Sequence, residues 1–524
     1  MSKRYNTYNP LRLLRQIVAV VCLALLVVAF ADWGNGTPAI DGLHRVASAL
    51  AGWQLLPAIL SVSATTIAIL LLLTLLFGRI YCSTLCPLGV AQDAVNAIRN
   101  HRQKSAAIRF AFRRADNWLR YSVLAIMVVA IATGVGVVVS LLDPYSIFGR
   151  IIYDGLRPVV QAVNNILAIT VGDMFGRETI TISWLSSLLA LATMLLIGGV
   201  AWLWGRRYCN SFCPVGTLLG EVSRVALIKI KIDTEKCNSC GLCARKCKSE
   251  CINPVTHSID PTRCVVCFDC IDNCSQGAIS FSPIKIAKQN LQAKSVSKAN
   301  TPKPNPKSDA VDMSRGRFLA SLAAAATIPA ADMVLAQGRH GGKGHGGENG
   351  RGNGQSHSGP RPVAPPGARS LSQLHAKCTA CHLCVSKCPT HVLQPAITEY
   401  GLQGVMQPVM RYDKGYCLYD CTLCGEVCPT GAIDLLDREE KKMTFIGHAV
   451  FNRERCIVAV DGVECGNCAE HCPAEAIKMV KSPIDRRTYP EIEKALCIGC
   501  GRCEYLCPAT PIKAITVKGY KTHK

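Results

Sequence analysis

Of the chain's 30 cysteines, all but Cys22 and Cys251 fall into recurrent motifs. Two quartets, "CNSCGLCARKC" and "CVVCFDCIDNC", place Cys237, Cys240, Cys243, Cys247 and then Cys264, Cys267, Cys270, Cys274 at C-x2-C-x2-C-x3-C spacing. Thiolates so close in sequence cannot all bridge one another, but they can wrap a metal centre. In this pattern three thiolates grip one iron–sulfur cluster and the fourth reaches a neighbouring one. Cys237, Cys240 and Cys243 are therefore expected to share a site with Cys274, and Cys264, Cys267 and Cys270 with Cys247. The usual proline after the fourth cysteine is replaced by Lys248 and Ser275. The leftover Cys251 reads as structural.

Four more quartets lie at 378–507. They are Cys378, Cys381, Cys384, Cys388; Cys417, Cys421, Cys424, Cys428; Cys456, Cys465, Cys468, Cys472; and Cys497, Cys500, Cys503, Cys507. Each ends in Cys-Pro, and "GAIDL" after the second and "EAIKM" after the third follow as short strand-like segments. Six quartets imply six [4Fe–4S] clusters. "CTACH" at 378–382 also matches a haem-attachment motif, but Cys384 and Cys388 complete a quartet there. An eight-residue gap follows Cys456 and reads as a surface loop.

A different motif occurs twice: "GRIYCSTLCPLG" at 78–89 and "GRRYCNSFCPVG" at 205–216, each after an apolar run. Two facing copies would present Cys82, Cys86, Cys209 and Cys213 together, a set that suits a seventh [4Fe–4S] cluster or zinc. The competing reading is that each pair caps a helix, with Pro87 and Pro214 fixing the turn.

These residues need elements to position them. Apolar runs at about 13–31, 54–77, 121–142 and 181–204 are long enough to span a bilayer. The expected architecture is an α-helical membrane bundle of four spans plus a fifth crossing segment, carrying α+β ferredoxin-like bi-cluster domains. Basic residues crowd the N-terminus, the loop after the second run and the end of the fourth run, whereas the other loops are nearly balanced. Both Cys-x3-Cys-Pro motifs are thereby expected on the cytoplasmic side. The net charge of +22 flanks the apolar runs and needs no nucleic-acid partner. The runs contain no histidine, so they offer no bis-histidine haem site. Asp143 and Tyr145 could bond a quinol hydroxyl or cap a helix, and Cys22 reads as packing.

Four domains follow: a membrane domain (1–220), a cytoplasmic two-cluster domain (221–282), a linker (283–369) and a four-cluster domain (370–524). In the linker, "SRGRFLASLAAAATIPAADMVLAQ" at 314–337 resembles a twin-arginine export signal, with Arg-Gly-Arg in place of adjacent arginines. A Gly- and His-rich tether with His340, His345 and His357 follows it.

The spans, the paired "YC-x3-CP-x-G" motifs and the 237–274 quartets resemble the NapH family, membrane subunits of a quinol dehydrogenase. The Tat-like segment and the quartets at 378–507 resemble the NapG family, its exported four-cluster partner. The resemblance implies a bacterial inner-membrane protein. It would oxidise quinol from the membrane pool and pass electrons through its clusters to a periplasmic reductase or c-type cytochrome. The protein's task is then to position and tune cofactors. An assembly or metal-reduction accessory factor is the alternative. The resemblance also implies two nested ferredoxins in the C-terminal part, first quartet with fourth and second with third. The near-equal lengths of 378–428 and 456–507 support that reading.

Overall fold

In a computed structural model, the chain is described at residues 10–31, 38–102, 110–171, 183–283 and 361–524. The crossing segment 314–337 and the histidines of the tether lie outside the described residues.

The helical part is built from α1 (Pro10–Ala31), α2 (Pro38–Gly52), α3 (Leu55–Leu60), α4 (Ala64–Phe77), α5 (Tyr81–Thr84), α6 (Pro87–Arg102), α7 (Asn117–Thr133), α8 (Gly136–Leu142) and α9 (Pro144–Arg150). A π-helical turn, Ile151–Leu156, leads into α10 (Arg157–Val171); α11 (Trp184–Trp204), α12 (Arg207–Ser211) and α13 (Pro214–Ser223) complete it. Among the described residues, only α1 and α11 are uninterrupted helices long and apolar enough to cross a membrane, with a third span if α8 and α9–α10, bent by 80°, count as one. This corrects the expectation of four spans. The second run breaks between α3 and α4, where Ser61 caps one helix and Val62 takes φ +57°. The third breaks at Gly134, whose left-handed backbone (φ +71°) caps α7 and absorbs the turn into α8.

The ferredoxin-like regions repeat one plan. An outer antiparallel pair brackets the quartets, and a short hairpin lies between them. At 228–283 the outer pair is Ile228–Ile232 with Ile279–Pro283, and the hairpin is Ile252–Asn253 with Ser258–Ile259. The last two quartets have Gly447–Phe451 with Ile515–Gly519 outside and Ile477–Lys481 with Thr488–Ile492 inside. Between the quartets ending at Cys388 and Cys428, the hairpin is Leu393–Pro395 with Pro408–Met410.

The regular quartets share a backbone signature. Residues on both sides of the second cysteine are left-handed: Ser239 and Gly241, Val266 and Phe268, Ala380 and His382, Gly499 and Gly501. Paired turns of this kind aim amide N–H groups into a concavity that accepts an anion. The second and third quartets, whose first gaps are longer, keep Thr422 and Gly466 at negative φ instead.

Candidate iron–sulfur sites and the buried four-thiol site

The two Cys-x3-Cys-Pro motifs meet. Cys82, Cys86, Cys209 and Cys213 are all buried in one apolar cluster and act on one another electrostatically. Each copy reaches across to the other: Arg206 donates to the Cys82 carbonyl at 2.7 Å, and Arg79 to the Cys209 carbonyl at 3.3 Å. Amide and side-chain donors reach the sulfurs, with Gly216 N–H 3.3 Å from Cys213 Sγ and Gln92 Nε2 3.3 Å from Cys209 Sγ. Among the described residues no three His, Cys, Asp or Glu side chains gather as ligands of a single ion. Both readings from the sequence, a [4Fe–4S] cluster or zinc, draw on these same four thiols. The glycine of each motif has a steric reason. A Cβ on Gly89 would lie 2.3 Å from the Cys82 carbonyl oxygen, and one on Gly216 2.3 Å from that of Cys209.

Beside this site lies a charged network. Asp93 of α6 receives Arg206 (2.7 Å), Lys248 (3.0 Å) and Arg15 of α1 (3.2 Å). Burial alone would raise the Asp93 carboxyl, but Arg206 and Lys248 hold it far below the usual carboxylate range. Lys248 also pairs with Asp269 at 3.0 Å, and Arg12 of α1 pairs with Asp269 and Asp272. The lysine that replaces the expected proline thus ties the 237–274 quartets to the helical part.

Within 237–274, one cavity is lined by Cys247, Cys264, Cys267 and Cys270, the expected grouping. Cys251 lines it too, with its sulfur 3.5 Å from Cys247 Sγ, an interaction that pulls the Cys247 thiol downward. Cys251 thus packs directly against the thiols of this site. No spacing rule would have found it, because Cys251 stands outside both quartets.

In the C-terminal region Cys388 groups with Cys417, Cys421 and Cys424 around one cavity, and Cys472 with Cys497, Cys500 and Cys503 around another. Cys428 acts on Cys378, Cys381 and Cys384, and Cys507 on Cys456 and Cys468. The pairing is therefore sequential, first quartet with second and third with fourth, and the nested expectation is wrong. The short hairpin inside each pair folds its two quartets together. Two tandem units of this kind also account for the near-equal lengths. The gap after Cys456 forms a helical turn (Ile457–Val460) and an exposed stretch at 460–464.

The environment suits thiolates held by iron. Ala380 N–H approaches Cys378 Sγ, Ile433 N–H Cys428 Sγ, Ala476 N–H Cys472 Sγ and Ala449 N–H Cys497 Sγ at 3.3–3.4 Å. Burial pushes the Cys468 and Cys500 thiols up to about 11, so a metal must displace their protons. His382 of "CTACH" has both ring nitrogens engaged, Nδ1 at 3.1 Å from Asp154 and Nε2 at 3.0 Å from the Met406 carbonyl. It docks the first of these quartets on the π-helical turn.

The helix α9 joins the two sets of sites. Ile147 belongs to the apolar cluster of the four thiols, while Tyr145 and Phe148 pack in the cluster that holds Cys381 and Leu383. At Gly149 a Cβ would lie 2.5 Å from the Cys381 carbonyl oxygen. Asp143 caps α9, accepting from Ser146 N–H at 3.0 Å and Ser146 Oγ at 2.6 Å. Of its two expected roles, capping is the one the geometry displays. The Tyr145 hydroxyl is buried without a hydrogen-bond partner among the described residues.

Comparison with known proteins matches these sites to families. A "4Fe-4S binding domain" model covers residues 60–105 and 186–234, both Cys-x3-Cys-Pro motifs, and a "4Fe-4S dicluster domain" model covers 377–432 and 463–510. The ferredoxin-type protein NapH of Escherichia coli is 26% identical over 258 residues, 47% of this chain and 75% of NapH. The ferredoxin-type protein NapG of the same organism is 31% identical over 147 residues, 26% of this chain and 62% of NapG. The chain thus resembles NapH-type and NapG-type ferredoxin proteins joined in one polypeptide. An uncharacterized protein of Methanocaldococcus jannaschii is 26% identical over 217 residues, 41% of this chain and 68% of that protein. No solved structure matches. Both matched models describe 4Fe-4S domains, and α1 and α11 are long and apolar enough to cross a membrane.

Proposed function

We propose that the protein oxidises membrane quinol and delivers the electrons, through six [4Fe–4S] sites held by the six quartets and a seventh at Cys82, Cys86, Cys209 and Cys213, to a periplasmic reductase or c-type cytochrome. When bound, the clusters supply one-electron steps; the chain supplies position, amide donors and shielding from water. The quartets at 237–274 face the cytoplasm and those at 378–507 the periplasm.

The observation that carries this reading is the arrangement along α1. Arg12 and Arg15, at one end, engage Asp269, Asp272 and Asp93. Leu26 and Phe30, at the other end, pack with Cys381 and Leu383. Arg12 and Phe30 are separated by about 27 Å of helix, close to the thickness of a hydrocarbon core. The two ferredoxin-like regions thus contact opposite ends of one apolar helix, and the four-thiol site and α9 lie on the way between them.

The test is anaerobic addition of a quinol analogue to the purified, oxidised protein, followed by EPR, with dithionite as the control reductant. Quinol should reduce a subset of the centres that dithionite reduces. Centres that answer to dithionite and never to quinol would retire the quinol reading while leaving electron transfer intact.

A further inference from the structure

We propose that Lys441 is a built-in cation that raises the reduction potential of the two cluster sites meeting at the junction of the C-terminal units. The proposal rests on the ligand reading of the quartets given above.

Lys441 sits on the helical turn Arg438–Lys442 and is only 3% exposed. Its ammonium donates to the carbonyls of Leu418 and Tyr419, which directly follow Cys417. Its neighbour Lys442 takes Asp420 (3.6 Å) and Glu439 (2.8 Å); no carboxylate forms an ion pair with Lys441 among the described residues. A buried ammonium without a counter-charge is costly. The negative groups around it are sulfurs. Its charge acts on Cys417, Cys421 and Cys424 of the second quartet and on Cys500 of the fourth. These two quartets adjoin at this point: Cys417 N–H donates to the Cys500 carbonyl at 2.9 Å, and Tyr412 Oη to the Gly499 carbonyl at 2.6 Å.

The electron bookkeeping is simple. One electron leaves the site at Cys378, Cys381, Cys384 and Cys428 and enters the site at Cys417, Cys421, Cys424 and Cys388. A second one-electron step takes it to Cys497, Cys500, Cys503 and Cys472. No bond forms or breaks, and no proton is required. The first step adds a negative charge beside Lys441 and the second keeps it there, and a fixed cation favours the more negative state. The cation thus holds the electron at the junction between units rather than letting it fall back.

The decisive variants are made in the full chain. Lys441→Gln keeps amide donors for the Leu418 and Tyr419 carbonyls but removes the charge; Lys441→Arg keeps the charge. The readouts are redox titration by EPR and iron content. In K441Q one or two couples should become harder to reduce: the reduced-to-oxidised ratio at fixed ambient potential should fall about tenfold, equal to about 59 mV for a one-electron couple. The remaining couples should be unmoved, and K441R should stay within about twofold of the parent ratio. Parent-like couples in K441Q at full iron content overturn the proposal, as does a K441R shift as large as that of K441Q. Iron lost from K441Q but kept in K441R supports a requirement for the charge; iron lost from both marks Lys441 as a packing residue and overturns it. Absence of C-terminal cluster signals in the parent protein would instead defeat the ligand reading itself.

Discussion

Gly89 and Gly216 set the tolerance of the four-thiol site at single-atom scale. Each leaves no room for a Cβ against the carbonyl of its own motif's first cysteine. Alanine at either position should destabilise the protein by about 1–3 kcal/mol through overpacking. It should also lower iron content if the four thiols hold a cluster; thermal unfolding and iron analysis check both. A second residue-scale expectation concerns pH. The Glu504 carboxyl accepts from Val517 N–H at 2.6 Å, and burial pushes it from 4.5 up to about 6. The folded state therefore holds its proton more tightly than the unfolded chain does. The resulting stabilisation is fully present below pH 4.5 and is lost as pH rises through 6. Glu504→Gln should flatten that decline in thermal unfolding measured across pH 4–7. An unchanged slope would show that other groups govern this range.

At the scale of elements, the Asp93 network joins α1, α6, Arg206 and the loop carrying Lys248. Asp93→Asn would leave three buried or nearly buried cations short of their shared partner. Breaking such a cluster should cost about 3–5 kcal/mol, read as a lower denaturation midpoint and loosened 237–274 quartets in hydrogen exchange. The network also marks where sequence reasoning stops. The six quartets were legible because their cysteines lie close together in sequence, and the meeting of Cys82 with Cys209 was legible because the motif repeats. Lys248 was noticed only as a missing proline, since its partners Asp93 and Asp269 lie on other elements. The breaks at Val62 and Gly134 were hidden because hydropathy averages over a run, while a single left-handed residue decides whether a helix continues. Pairing among the C-terminal quartets depended on which hairpin folds back on which, and equal segment lengths could not distinguish tandem from nested units.

For the whole molecule, iron analysis should give about 24 atoms per chain from six sites, or about 28 with the four-thiol site loaded. A value near 16 would leave only the C-terminal sites filled. A reporter active only in the periplasm should work when fused after Arg369 and stay silent when fused after Ser280; silence at both points would reject the proposed sidedness. The contact between His382 and Asp154, both buried at 3.1 Å, has a further consequence. The two parts it joins resemble relatives that carry separate names, yet here they are one polypeptide. Their association is unimolecular, with a local concentration on the order of millimolar for suitably linked modules. A docking surface too weak to hold two free proteins together still suffices within one chain. Dilution does not part the modules, and neither can be made in excess of the other.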